Sequence, residues 1–207
     1  MQNQEKRKLI QRLRTFTVPE LCDGAGLYHS MDYRIKPWIG RAKIAGEAVT
    51  AEVPSGEGKI VEEAIYYLNE GDVLVVAGKG NCDCSYWGDH RSVCADMMKA
   101  SGVVIDGAFR DLEGCEAVGF PVYAKGLTCG TAGKNGAGAV NVTVSCGGVT
   151  VHPGDFVVGD INGVCVIRPE EAEGIIERAL AKRESQKRTL EEMRRTGKII
   201  TQIRKEI

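Results

Sequence analysis

Two short apolar runs, DVLVVA (72–77) and VVID (103–106), constrain the fold of this chain more than any other feature. Runs of this kind, apolar at every position, suit strands of a sheet that is covered on both faces. A loop and then a stretch of helical spacing follow each run: 92–100 after the first, and 112 to about Val118 after the second. Strands separated by helices lie parallel in one sheet. The second run is placed in a strand over 103–107, where Asp106 and Gly107 break the apolar run, and Arg110 and Asp111 then stand side by side.

The flanking sequence completes an α/β architecture. Residues 4–15 alternate charge with Leu9, Ile10 and Leu13, which predicts a short amphipathic helix. Thr17-Val-Pro-Glu20 combines a capping box with a first-turn proline and starts a second helix that stops at Gly24 or Gly26. A strand over 43–53 and a helix over 59–68 precede the first apolar run. The segment GKGNCDCSYWGD after that run reads as a loop, and VYAK (122–125) as a short strand. The glycine-rich stretch GLTCGTAGKNGAGAV reads as a loop crossing the surface. From Val140 onward VNVTVSC, VTVHPGD, FVVGD and GVCVI are short strands with turn signals and no room for helices between them. Pro169 to Met193 is a long charged helix, broken at Gly197 and followed by a basic tail. Its sparse apolar positions (Ile175, Ile176, Ala179, Leu180, Leu190, Met193) suit packing on a neighbouring subunit rather than on its own core. The expected product is one domain over 1–168, with a central mixed sheet, and a helical extension over 169–207.

Composition narrows the class. A net charge of -1 argues against a dedicated nucleic-acid binder. No apolar run reaches the roughly 20 residues of a membrane span, and the polar start MQNQEKRKLIQRLR is not a secretory signal. A cytoplasmic protein is expected. The 8 cysteines are scattered, so neither a disulfide framework nor a paired-cysteine zinc site is expected; Cys146 and Cys165 read as small core residues.

Ligands of α/β sheets bind outside the carboxyl ends of parallel strands. If the two runs are neighbours, Asp89, Arg110 and Asp111 converge there, close to two helix N-termini. Backbone N–H groups at a helix start favour an anionic ligand, and an arginine adds a fixed cationic fork. Two aspartates could hold a divalent cation such as Mg²⁺, which keeps several waters of its own. The pattern equally fits a capping aspartate beside a surface arginine, and spacing alone leaves both readings open. Gly78-x-Gly80 lacks the third glycine of a dinucleotide loop, since Asp83 stands in its place. His29, His90 and His152 form no metal-spaced set, and His152 reads as structural. Lys134 reads as a solvated lysine rather than a Schiff-base nucleophile, which would need burial or a cationic neighbour.

The ordered blocks GDVLVV, WGD, VIDGAFRD, FPVYAKG and VNVTVSCGGVTVHPGDFVVGDINGVCVI resemble the RraA-like family across about Pro19 to Arg183. That family contains the 4-hydroxy-4-methyl-2-oxoglutarate/4-carboxy-4-hydroxy-2-oxoadipate aldolases and the regulators of ribonuclease E activity. The resemblance implies a swivelling β/β/α domain, assembled as a trimer or a dimer of trimers with active sites between subunits. From the aldolases it places a catalytic arginine on Arg110 and the ligand for Mg²⁺ (or another divalent metal such as Mn²⁺) on Asp111. It places the aspartate that holds a metal-bound water on Asp89. The amides that take the pyruvate carboxylate fall on His90 and Arg91, just past Gly88. A glutamate from the neighbouring subunit's C-terminal helix falls on Glu184.

The implied activity is metal-dependent cleavage of a 4-hydroxy-2-oxo acid to pyruvate and a second oxo compound, with oxaloacetate decarboxylation on the side. The alternative is a regulator that docks on a ribonuclease or helicase; such regulators carry Arg-Gln where this chain has Arg110-Asp111. One segment departs from the aldolase pattern. Their Gly-Asp-Asn-like turn, thought to meet the distal half of the substrate, is replaced here by Pro54-Ser-Gly-Glu57-Gly58-Lys59. A different 2-oxo acid, derived from a sugar, is therefore a further candidate.

Overall fold

A computed structural model describes residues 3–26, 29–40 and 43–203. In chain order the elements are α1 (Asn3–Leu13), α2 (Val18–Ala25), β1 (Lys36–Ile39), β2 (Ile44–Glu52), α3 (Ile60–Ile65) and β3 (Val73–Ser85). There follow α4 (Asp89–Met97), β4 (Gly102–Phe109), α5 (Leu112–Val118), β5 (Val122–Leu127) and β6 (Ala139–Val140). The chain ends in β7 (Val144–Cys146), β8 (Val149–Val151), β9 (Phe156–Asp160), β10 (Gly163–Ile167), α6 (Ala172–Thr196) and α7 (Ile200–Ile203). The end of the expected basic tail, 204–207, lies outside the described residues.

The sheet runs β1-β5-β4-β3-β2-β9-β10, and β6 pairs with β2. The four central strands are parallel, while β1, β9 and β10 run antiparallel to their neighbours, so the expected mixed sheet is present. It is curled. Residues 29–31 bond to β10 through Met31 N–H to Val164 O and Val166 N–H to His29 O (both 2.9 Å) before the chain enters β1 at the opposite edge. Helices α3, α4 and α5 cover one face around Trp87, Phe109 and Phe120. The β7–β8 hairpin covers the other around Ile35, Val75 and Tyr123. A third cluster joins α1, α2 and α6 to β9 and β10.

Three expectations change. The first apolar strand does not end at Ala77: β3 continues to Ser85 through a wide excursion, with Lys79 and Gly80 at positive φ (56° and 74°). Along β3 the pairing steps from Val76 to Asn81, while along β4 it advances only from Ile105 to Gly107. The polar residues of this excursion are largely exposed, so they carry no apolar periodicity that would mark a strand. Nor does β4 stop at Gly107: it runs on to Phe109, with every residue from Gly102 buried, Asp106 included. Asp106 is tolerated there because Lys125 Nζ lies 2.5 Å from its Oδ1 and Gly147 N–H donates to its Oδ2 (3.0 Å). Finally, the first half of α6 covers the chain's own core, with Ile175, Ile176 and Ala179 buried beside α2; Leu180 and Leu190 remain exposed.

The capping box is formed: Thr17 Oγ1 accepts from Glu20 N–H (3.4 Å) and Glu20 Oε2 from Thr17 N–H (2.8 Å). Arg183 of α6 grips the same carboxylate (2.7 and 2.9 Å) and lies 4.1 Å over the Phe16 ring. The Arg183 hydrogen bonds lead in holding the Glu20 carboxyl down at about 2. A lowered folded-state value stabilises the fold above the ordinary 4.5, and that contribution is lost as pH falls through about 2. Thermal unfolding of wild type and Glu20→Gln should therefore differ at pH 7, and the gap should narrow steadily below about pH 4.5. A gap independent of pH would assign the difference to packing instead.

Candidate active site

The carboxyl ends of β3 and β4 open into one cleft of about 160 Å³. Gly88, Asp89, His90, Arg91, Arg110 and Asp111 all line it. Six of the seven expected site positions therefore meet. The seventh, Glu184, lies exposed on α6 and does not line this cleft.

The first wall is the start of α4. This helix begins at Asp89, not at Ser92 as expected, with Gly88 as its N-cap. Asp89, His90 and Arg91 of its first turn line the cleft, and the His90 N–H is bonded to Asp89 Oδ1 (2.7 Å). Ser92, fully buried, ties this turn down: its hydroxyl accepts from Trp87 Nε1 (2.8 Å) and donates to Gly88 O (3.1 Å). The Arg91 side chain is a strut, donating to Tyr86 O (2.7 Å), Gly58 O (2.9 Å) and Glu62 Oε1 (3.0 Å).

The second wall settles what spacing left open. Asp111 occupies the N-cap position of α5, yet its side chain makes no capping hydrogen bond. Its backbone is left-handed (φ 58°, ψ 48°), a conformation that costs an L-residue roughly 1–2 kcal/mol. Arg110 Nε approaches its Oδ2 at 3.2 Å, and both side chains are half-exposed. The capping reading fails, and a carboxylate is left free to face the cleft.

Two glycines accommodate the two carboxylates reciprocally. A Cβ on Gly88 would stand 2.7 Å from Asp111 Oδ2, and one on Gly114 would stand 2.8 Å from Asp89 Oδ2. Each carboxylate thus rests against a glycine on the other's segment. Gly114 was missed by sequence reasoning, although a glycine inside the short helix LEGCEAV is a poor helix former that asks for a packing reason. Among the described residues no three His, Cys, Asp or Glu side chains group as a metal site. Of the three carboxylates that line the cleft, Glu62 is paired with Arg91 (3.0 Å), which leaves Asp89 and Asp111, and Mg²⁺ takes one or two carboxylates.

The third wall was not legible either. The glycine-rich segment expected to cross the surface instead closes the cleft with Thr131, Ala132, Gly133 and Lys134, bonded to Gly58 through Gly133 O (3.0 Å). Ser85 N–H donates to Gly130 O (3.1 Å), which draws this segment against the end of β3. Lys134 is exposed, as expected, but on the rim of the cleft. His152 is structural, bridging Thr143 Oγ1 (2.9 Å) and Arg168 (3.0 Å). All eight cysteines are free thiols, with Cys146 and Cys165 buried.

A curled mixed sheet with a charged cleft at the carboxyl ends of its parallel strands defines an α/β protein with its cleft where ligands of such sheets bind. The RraA-like family, described as Aldolase/RraA, matches residues 18–166, and this chain belongs to it. A protein of Halalkalibacterium halodurans named "Putative 4-hydroxy-4-methyl-2-oxoglutarate aldolase" is 34% identical over 180 residues, covering 87% of this chain and 86% of its own length. Among solved structures, an uncharacterized protein from Pseudomonas syringae superposes with a TM-score of 0.83 at 23% identity, covering 97% of this chain and 94% of the other. The RNA-processing inhibitor RraA from Thermus thermophilis superposes with a TM-score of 0.63 at 29% identity, covering 67% and 84%. No helix among the described residues is long and apolar enough to cross a membrane.

Proposed function

We propose that the chain is a divalent-metal-dependent lyase that cleaves a 4-hydroxy-2-oxo acid to pyruvate and a second oxo compound, with oxaloacetate decarboxylation as a side activity. The observation that carries this reading is Asp111, whose carboxylate caps nothing and sits beside Arg110 in the space left by Gly88. The site fits a divalent cation: Asp111 would ligate it and Asp89 would hold one of its waters. Such a cation would supply Lewis acidity at the 2-oxo oxygen.

The chain's own groups do the rest. The start of α4 orients the substrate carboxylate through the Arg91 amide and through the His90 amide, which exchanges its bond to Asp89 Oδ1 for the substrate. Arg110 stabilises the negative charge that grows on the 2-oxo oxygen as the C3–C4 bond breaks and the 4-hydroxyl passes its proton to a water held by Asp89. Asp89, with Glu184 of a neighbouring copy, orients the water that returns a proton to C3. Exposed Leu180 and Leu190 on the same helix support its docking on another copy, in a trimer or a dimer of trimers working in the cytoplasm.

Pyruvate release tests the proposal, with 4-hydroxy-4-methyl-2-oxoglutarate, sugar-derived 4-hydroxy-2-oxo acids and oxaloacetate as substrates, in Mg²⁺, Mn²⁺ or chelator. Cation-dependent release from at least one 4-hydroxy-2-oxo acid is expected. Its absence from all of them would sink the lyase reading and favour the regulatory one, which the likeness to the RNA-processing inhibitor supports.

A further inference from the structure

Glu57 lies in the turn that departs from the aldolase pattern, and its carboxylate is buried (6% exposed). Its Oε1 accepts from Gly58 N–H (2.9 Å) and Lys59 N–H (3.0 Å), and its Oε2 from Asn135 N–H (2.8 Å). These backbone donors, with that of Lys59 first, hold its carboxyl below the usual range. One carboxylate thus joins two segments that lie far apart in sequence. Both supply the cleft wall that faces Arg110 and Asp111.

The two segments differ in stiffness. The turn is fixed from outside, because Gly56 N–H donates to Tyr86 Oη (3.1 Å) and Arg91 Nη2 to Gly58 O (2.9 Å). The other segment carries glycines at 130, 133, 136 and 138 and has little regular structure. Besides Glu57, the two are joined by Gly58 N–H to Gly133 O (3.0 Å) and Gly133 N–H to Gly56 O (2.6 Å). Each of these backbone bonds ends at Gly133. The Glu57 carboxylate reaches past Lys134, to the backbone donors of Asn135 and Gly136.

We infer that Glu57 is a positioning residue: it staples 131–135 to the rigid turn and so presets the part of the cleft wall that carries Lys134. Lys134 is held between bonds at Gly133 and Asn135, which leaves its side chain free to meet an anionic or hydroxyl group of the substrate. A wall preset in this way contacts substrate in ground and transition states alike, so its loss acts on KM rather than on kcat. The kinetic part of this inference rests on the lyase reading; the staple does not.

Glu57→Gln separates the two. The amide keeps an oxygen for Gly58 and Lys59 but turns an NH₂ group toward the Asn135 N–H, so only the bond to the loop is lost. Amide hydrogen exchange over 131–137 should speed up while β3 and β4 stay protected, and KM should rise about tenfold with kcat nearly unchanged. Glu57→Asp, which keeps the charge, should recover part of the lost protection. Should Glu57→Gln fail to fold, Asn135→Pro deletes the Asn135 donor, leaves that of Gly136, and should give the same two changes in smaller measure. Unchanged exchange over 131–137 would overturn the staple, whether or not the protein is a lyase. Faster exchange with a fall in kcat and no change in KM would overturn the positioning role. If wild type cleaves no 4-hydroxy-2-oxo acid, binding of oxalate by calorimetry replaces KM, and equal affinity in wild type and variant would overturn that role as well.

Discussion

Asp111→Asn should remove metal-stimulated pyruvate release, by about a thousandfold or more, while leaving the thermal unfolding midpoint almost where it was. The size follows from losing the only direct protein ligand proposed for the cation, an interaction on the order of several kcal/mol in the transition state. The unchanged stability follows from local structure. Asp111 stands at φ 58° without a capping bond, and asparagine enters the left-handed region as readily as aspartate. If Asp111 were only a helix cap, asparagine would serve nearly as well and activity would survive. This substitution therefore separates a ligand from a cap. Steady-state turnover and calorimetric Mn²⁺ binding, measured on the same preparations, check both halves of the expectation.

Arg110→Ala should lower kcat by roughly a hundredfold to a thousandfold, the range seen when one preorganised group facing a developing oxyanion is removed. The side chain is half-exposed and pairs only with Asp111 at 3.2 Å, so the fold should tolerate its loss. Arg110→Lys should recover only part of the activity, because a point charge on a flexible stem does not reproduce the guanidinium fork. Mn²⁺ affinity should persist in Arg110→Ala and disappear in Asp111→Asn. That contrast assigns charge stabilisation to one residue and ligation to the other. Near wild-type turnover in Arg110→Ala would remove it from the mechanism.

How far the site could be read from sequence depended on whether neighbours in the chain carried the signal. Arg110 and Asp111 directly follow an unbroken apolar strand, and Asp89 follows the segment after another, so their convergence needed only the parallel pairing of β3 with β4. The choice between cap and free carboxylate was a matter of backbone geometry at one residue, which no spacing encodes. The buried Asp106 interrupts the apolar run, and sequence hides why it is tolerated because its compensating charge, Lys125, sits on the next strand. The polar excursion inside β3 and the glycine-rich cleft wall lack apolar periodicity. Long-range bonds such as those from Glu57 to Asn135 and from Ser85 to Gly130 hold that wall in place. Gly114 makes sense only once the Asp89 carboxylate is seen resting where its Cβ would be.

The central claim is that Asp111, Asp89, Arg110 and the start of α4 form one metal-dependent centre for a 2-oxo acid. Crystals grown with Mn²⁺ and oxalate, a mimic of the pyruvate enolate, test it most directly through the anomalous signal of manganese. The expected result is a manganese peak beside the Asp111 carboxylate, with oxalate running from it to the amides of His90 and Arg91, and no peak in Asp111→Asn crystals. A cleft without manganese at saturating concentration, or an equal peak in the Asp111→Asn protein, would contradict the account.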